Sequence, residues 1–140
     1  MLDIKYIAEH PEEIKDGLAK KGYTKETLDV DALIALYRDI AKLKTSSQAL
    51  SEEKNKLSNS IKSASAEERP AIIAKSKSVG EELKVEQEKL AAEQSKFDDM
   101  MLRMPNMPSP ESPVGKDDSE NVVRRKVGTP RSFDFTPRDH

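Results

Sequence analysis

Two stripes of apolar residues at alternating spacings of three and four dominate the sequence between residues 30 and 104. The first stripe has Leu33, Ile40, Ser47, Lys54 and Ile61 at heptad positions a, and Leu36, Leu43, Leu50, Leu57 and Ala64 at positions d. The second stripe runs through Ile72, Val79, Leu83, Leu90, Phe97, Met100 and Met104, with Ser76, Glu86 and Glu93 on the same line. Because this spacing keeps apolar side chains on one side of a helix, it predicts two long helices that pack together as a coiled coil.

The composition agrees with long, largely exposed helices. Charged residues make up 36% of the 140 residues, hydrophobic residues 35% and aromatic residues 4%. So little apolar material argues against a globule with a thick core, whereas an exposed helix needs only a narrow apolar stripe.

The lack of cysteine excludes disulfides and thiolate metal sites. No apolar run approaches the roughly 20 residues that span a bilayer, and the start of the chain has no apolar signal core. We therefore expect a cytoplasmic protein with no membrane partner.

The segment from Ser63 to Pro70 separates the two stripes and carries conflicting signals for the start of the second helix. Ser65 and Glu68 have the spacing of a capping box, but Pro70 would then stand inside the helix without an N–H donor. The turn is expected across residues 63–69, with the exact start of the helix left open. Two helices of similar length joined by a short turn should form an antiparallel hairpin, an arm about 50 Å long.

Short helices are predicted before the arm, within residues 1–23. Pro11 suits a first helical position and Gly22 suits a left-handed C-cap. Ile14 and Leu18, four residues apart, would form the buried face of this part of the chain.

The chain after the arm has a different character. Pro105 ends the second long helix, and three more prolines by residue 113 predict an extended connector over residues 104–115. Residues 120–135 include a weak β pattern. The sequence stops at His140 without a closing element, which favours the first part of a longer protein. The prediction is an all-α fold: a long antiparallel two-helix coiled-coil hairpin with short N-terminal helices and an extended Pro-rich C-terminal tail.

The sequence contains no arrangement of side chains that is typical of a catalytic site. The two histidines, His10 and His140, lie far apart in the sequence and have no carboxylate cluster around them. There is no glycine-rich phosphate loop and no Gly-x-Ser-x-Gly elbow. We expect no active site, no metal site and no cofactor within these residues.

The distribution of charge is more informative than the formal net charge of -2. Residues 54–80, the distal half of the arm, hold six basic and two acidic side chains. Residues 81–99 hold three basic and seven acidic side chains, and residues 30–53 hold three and four. Such a field attracts a polyanion to the distal half and repels it from the root.

Small polar side chains accompany the distal basic residues. Asparagine and serine can bond to phosphate or ribose oxygens, whereas the absence of aromatic residues from positions 54–80 leaves no platform for stacking bases. An RNA bound here would be read by backbone and shape. A solvated coiled-coil surface with a loosely packed tip explains the same pattern.

Two residues of the arm have two interpretations each. Lys54, at a heptad position between the helices, either fixes the register of the coiled coil or snorkels out of it. Gly80 either allows a bend or a close approach of the partner helix, or is a tolerated weak point of its own helix.

The sequence resembles bacterial seryl-tRNA synthetase along essentially its whole length. The tail carries most of this resemblance, in Met104-Pro-Asn-Met-Pro108, Ser112-Pro-Val-Gly-Lys-Asp117, Asn121-Val122, Gly128-Thr-Pro-Arg131, Phe133-Asp-Phe135 and Asp139-His140. The start, Met1-Leu2-Asp3 with Pro11 and Lys21-Gly22, is similar to that of the family. So is Glu53-Lys54-Asn55-Lys56, with Ser58, Ser60 and Ile61.

The resemblance implies a division of labour between two parts of a longer enzyme. Residues 1–104 would be the tRNA-binding domain, with its arm at about 30–104 and its tip at about 63–69. Residues 105–140 would be the linker and the start of a class II catalytic domain. In this family the arm grips the long variable arm and outer elbow of serine tRNA, and the anticodon is not read. The catalytic domain attaches serine to the tRNA using ATP and Mg²⁺, and in the homodimer the arm of one subunit presents tRNA to the other.

The candidate tRNA-binding residues come from two sources. The resemblance implies Lys54, Asn55, Lys56, Ser58, Asn59 and Lys62, and charge alone adds Arg69, Lys75 and Lys77. Lys54 stands where the family usually has arginine, so it offers a point charge in place of a bidentate fork. Two other interpretations are a coiled-coil scaffold without an RNA role and a stand-alone paralogue of the synthetase arm.

Overall fold

The computed structural model describes residues 2–138, of which 4–103 are mostly helical. Helices α1 (Ile4–Glu9) and α2 (Pro11–Lys20) precede the long helices α3 (Val30–Ser63) and α4 (Arg69–Arg103), and a short 3-10 helix spans Asp118–Glu120. The chain divides into two units, Met1–Pro108 and Ser109–His140. In the described part of the chain none of the helices is long and apolar enough to cross a membrane.

Helices α3 and α4 form the predicted antiparallel hairpin. Two side-chain contacts fix their direction: Ser46 Oγ lies 2.6 Å from Glu86 Oε2, and Lys75 Nζ lies 2.9 Å from Glu53 Oε1. Moving toward the turn along α3 therefore means moving backwards along α4. The 34 residues of α3 make an arm about 50 Å long.

The heptad pattern predicts the packed seam correctly at almost every position. Along α3 every a and d residue is buried or half-buried except Lys54, and along α4 every residue of the second stripe is likewise covered. Glu86, an acid on the seam, is satisfied by the hydroxyl of Ser46. The arm is thus a two-helix coiled coil with one exposed seam position.

The turn of the hairpin resolves the conflict between its two start signals. Helix α4 begins at Arg69, so Pro70 falls in the first turn, where its missing N–H has no intrahelical partner to lose. The capping-box contacts nevertheless form one turn earlier, because Ser65 N donates to Glu68 Oε2 at 3.2 Å and Glu68 N donates to Ser65 Oγ at 3.4 Å. The Ser65–Glu68 capping box therefore forms in the turn, and Pro70 stands in the first turn of α4.

The root of the arm carries the main hydrophobic core. Its buried members, here named the root core, are Ile7, Ile14, Leu18, Leu28, Val30, Leu33, Ile34 and Met104. The predicted burial of Ile14 and Leu18 is confirmed, and Met100, Met101 and Met107 pack around the same cluster. Helix α2 ends in a Schellman motif at Gly22 (φ 78°), where Tyr23 N donates to Leu18 O.

The C-terminal unit departs from one expectation. Every side chain in residues 109–138 is exposed, and the weak β pattern of residues 120–135 forms no strand in this described segment. The pattern requires a neighbouring strand for its hydrogen bonds, and these residues do not supply one. Met104, which ends the second apolar stripe, is a buried member of the root core, and Met107 of the connector packs against that core. That residues 105–140 are a linker and the start of a catalytic domain stays a prediction.

Candidate nucleic-acid interface

The distal half of the arm presents its basic residues on three different surfaces. Helical periodicity separates the side chains on either edge of the α3–α4 seam from those on the outer face of α3. The nine residues predicted from the sequence fall on all three surfaces and on the tip. Their availability to a polyanion therefore depends on position as well as on charge.

One edge of the seam, here named the lysine edge, consists of Lys54 from α3 with Lys77, Gly80 and Lys84 from α4. These residues line a shallow groove of about 540 Å³ together with Ile61, Ile73, Ser76 and Glu81. The side chain of Lys54 lies over Gly80, since a Cβ atom at Gly80 would lie 3.6 Å from both its Cε and its Nζ. The exposed lysine leaves the seam by snorkelling, which is one of the two alternatives that the sequence leaves open.

The opposite edge, here named the glutamate edge, consists of Ser46, Glu53, Lys75, Glu82, Glu86 and Lys89. Four of these residues, Ser46, Glu82, Glu86 and Lys89, line a second groove. Farther toward the tip, Lys75 pairs with Glu53 at 2.9 Å. The positive charge of Lys75 is therefore partly neutralised on this edge.

The outer face of α3 carries Asn55, Lys56, Asn59 and Lys62. All four side chains are exposed, and within residues 2–138 none of them has a side-chain hydrogen bond or ion pair. Asn55, Asn59 and Lys62 are spaced by four and three residues, so they lie along one line of the helix. Their polar groups are free to bind a ligand in solution.

Two of the predicted residues are engaged locally. The Ser58 hydroxyl donates to Lys54 O at 2.9 Å, which leaves its oxygen lone pairs as acceptors. The Arg69 guanidinium donates through Nε to Ala64 O at 3.1 Å and so helps to close the tip. Its other N–H groups remain available, because a guanidinium has five donors.

The carboxylate of Glu68 stabilises the tip beside Arg69. The pKa of Glu68 is lowered, first by the hydrogen bond from the Ser65 hydroxyl and then by the one from the Ser65 backbone N–H. The carboxylate accepts both bonds in its charged form, which explains the direction of the shift. The turn is thus ordered by contacts that leave the neighbouring basic side chains at the surface.

A family model for the seryl-tRNA synthetase N-terminal domain matches residues 1–108, which include both short helices and the whole arm. The chain belongs to this family. The resemblance stated from the sequence is therefore confirmed, and the arm of α3 and α4 is the coiled-coil arm of a seryl-tRNA synthetase N-terminal domain.

Relatives and solved structures agree with the family. The chain is 37% identical over 139 residues to a serine–tRNA ligase of Deinococcus radiodurans, covering 99% of this chain and 32% of the relative. It is 38% identical over 142 residues to a serine–tRNA ligase of Burkholderia vietnamiensis, covering 100% of this chain and 32% of the relative. A crystal structure of seryl-tRNA synthetase from Pyrococcus horikoshii complexed with ATP matches with a TM-score of 0.75 and 31% identity, covering 87% of this chain and 28% of that one. The chain spans about a third of the length of the curated relatives it matches.

Sequence reasoning did not include Lys84 among the candidate residues of this arm. Lys84 lies in the stretch 81–99, where acids outnumber bases, and a segmental charge count therefore hides it. The spacing of Lys77, Gly80 and Lys84, three and then four residues, places them on one line of α4 and could have identified it. Lys84 also lies 3.9 Å from Glu88, a long and exposed pair that leaves the ammonium accessible.

Proposed function

We propose that the distal half of this arm binds serine tRNA through phosphate and ribose contacts along its long variable arm and outer elbow. The observation that carries the proposal is the basic distal half on a coiled-coil arm of the seryl-tRNA synthetase N-terminal domain. Lysine side chains supply affinity by displacing counterions from phosphates. The acidic segment 81–99 discourages RNA from lying along the root.

The proposed contact residues are those predicted from the sequence: Lys54, Asn55, Lys56, Ser58, Asn59, Lys62, Arg69, Lys75 and Lys77. Six residues of the set are exposed without a local ion pair or side-chain hydrogen bond in the described chain, namely Lys54, Asn55, Lys56, Asn59, Lys62 and Lys77. We expect these six to dominate. Lys75 should contribute less, because Glu53 competes with phosphate for its ammonium.

Recognition by this arm would depend on the shape of the RNA. No aromatic residue lies between positions 54 and 80, so splayed bases have nothing to stack on there. A tRNA with a long variable arm offers phosphates where an arm of about 50 Å can reach them, whereas a tRNA with a short variable loop does not. Selectivity then follows from where the phosphates are, and the anticodon is not read.

For the whole protein we infer the activity named for its relatives, the attachment of serine to tRNA by a class II synthetase in the cytoplasm. That reaction would use ATP and Mg²⁺ in a homodimer in which one subunit's arm presents tRNA to the other. In residues 2–138 no group of His, Cys, Asp or Glu side chains is arranged to hold a metal ion. In this proposal ATP and Mg²⁺ belong to the catalytic domain of the whole protein, and the role of the present residues is to bind and orient tRNA.

A gel-shift titration of the 140-residue chain tests the proposal. The probes are a serine tRNA transcript with its variable arm, the same transcript with that arm shortened, and a tRNA of another class with a short loop. The isolated chain should bind the first probe weakly but more strongly than the other two, and this binding should weaken steeply with salt. Equal affinity for the three probes would contradict recognition by shape.

A further inference from the structure

Gly80 of α4 and Lys54 of α3 face each other where the seam of the arm is exposed. A Cβ atom at Gly80 would lie 3.6 Å from both Cε and Nζ of Lys54, which is ordinary van der Waals contact. The end of the lysine side chain therefore rests against the bare backbone of α4. Resting on the proposed function, we infer that Gly80 is a positioning residue for RNA binding: it lets Lys54 cross the seam and hold its ammonium on the lysine edge.

Lys54 requires such an exit because it occupies a heptad a position. Its neighbours on the same stripe, Ser47 and Ile61, are buried and half-buried between the helices. An ammonium cannot be buried there without a partner, because desolvation of an unpaired charge is costly. The side chain must therefore leave the seam, and the missing side chain at Gly80 opens one direction.

The exit places Lys54 beside two further lysines. Lys77 and Lys84 flank Gly80 on the same line of α4, about 10 Å apart along the helix axis. All three lysines line the same groove. One acid, Glu81, also lines it, so the groove keeps an excess of positive charge suited to consecutive phosphates of one RNA strand.

The position of Gly80 would otherwise be unfavourable. Glycine in the middle of a helix lowers its stability relative to alanine, and the structure leaves room for an alanine methyl group. A longer side chain would occupy the volume that holds Cε and Nζ of Lys54. If Gly80 acts by leaving room for Lys54, alanine should be tolerated and longer side chains should not. If this position requires glycine itself, alanine should be harmful as well.

A double-mutant cycle tests this role in the 140-residue chain. Gly80→Ala and Gly80→Leu are prepared with and without Lys54→Gln, and affinity for a serine tRNA transcript is measured against salt. In the wild-type and Gly80→Ala backgrounds, Lys54→Gln should lower affinity about threefold and reduce the salt slope by about one. Gly80→Leu alone should cause the same losses, and adding Lys54→Gln to it should change affinity by less than about 1.5-fold.

Two further measurements complete the test. Gly80→Gln, a polar side chain of similar length, should behave as Gly80→Leu does, and circular dichroism should show that all variants keep their helices. An equal effect of Lys54→Gln in every background would overturn the positioning role of Gly80. If the proposed function itself is wrong, the result would differ: binding by the wild-type chain would not depend on salt or on the variable arm of the tRNA.

Discussion

The ammonium of Lys75 lies 2.9 Å from the carboxylate of Glu53, and this contact joins α4 to α3 where the distal half of the arm begins. The two side chains are 62% and 43% exposed, so the pair contributes only about 0–1 kcal/mol to stability. Its larger effect is on charge. Lys75 is paired on the glutamate edge, whereas Lys77, two residues later, faces the groove of the lysine edge.

Replacing Glu53 by glutamine should strengthen RNA binding. The substitution removes a negative charge that lies next to the distal half and frees Lys75, so affinity for serine tRNA should rise about two- to threefold at low salt. Asp39→Asn is the matched control, because Asp39 forms a similar exposed pair with Lys42 nearer the root. Salt-dependent binding measurements would compare the two, and an equal gain from both would mean that only net charge matters.

Removing three distal lysines should weaken binding without unfolding the arm. In the variant with Lys54, Lys56 and Lys62 all changed to alanine, affinity should fall about tenfold or more and the salt slope by about two to three. Alanine is a strong helix former, so circular dichroism should show unchanged helicity. The matched control changes Lys42, Lys44 and Lys96 to alanine, and it should lose much less. Unchanged affinity in the distal triple variant would place the contact surface elsewhere.

The sequence predicts the arm well because the heptad spacing alone identifies which side chains of each helix are buried. The placements of Leu33, Leu50 and Leu83 all follow from spacing alone. The edges of the seam are harder to predict. Lys75 and Lys77 look equivalent in a charge count, but two residues of a helix turn the side chain by about 200°, onto opposite edges.

Other features depend on contacts that a one-dimensional pattern does not contain. Met107 packs against the root core although it follows the helix-ending Pro105, because Gly17 of α2 leaves room for its side chain. The weak β pattern at residues 120–135 forms no strand in the described chain, since strand pairing requires a neighbour that these residues lack. The periodicity of the sequence predicts which face of a helix is apolar, but the residues that cover that face depend on the three-dimensional fold.

The root core should carry most of the stability of the helical unit. Leu33 is completely buried in it, so Leu33→Ala should cost about 2–5 kcal/mol through lost burial and a cavity. Leu102→Ala is the matched control, because Leu102 is 75% exposed, and its cost should stay within about 0.5 kcal/mol. Urea unfolding followed by circular dichroism measures both, and similar midpoints for the two variants would contradict this location of the core.

The start of α3 should make a pH-dependent contribution to stability. Asp29 caps the helix, with Oδ1 accepting from Ala32 N at 3.0 Å, so Asp29→Ala should cost about 1 kcal/mol at neutral pH. The pKa of Asp29 is lowered from 3.8, mainly by this backbone hydrogen bond. A lowered pKa means that the charged carboxylate stabilises the fold above the unfolded value, and that this stabilisation is lost as pH falls through the folded pKa.

Thermal unfolding between about pH 7 and about pH 2.5 tests the titration of this cap. The stability difference between wild type and Asp29→Ala should narrow as the pH falls below about 4. An asparagine side chain in place of Asp29 would accept the same hydrogen bond without titrating, so the difference between Asp29→Asn and Asp29→Ala should stay constant over the same range. If the stability difference between wild type and Asp29→Ala also stayed constant with pH, the charge of Asp29 would not strengthen the cap. The cap would then depend only on the hydrogen bond from Ala32 N.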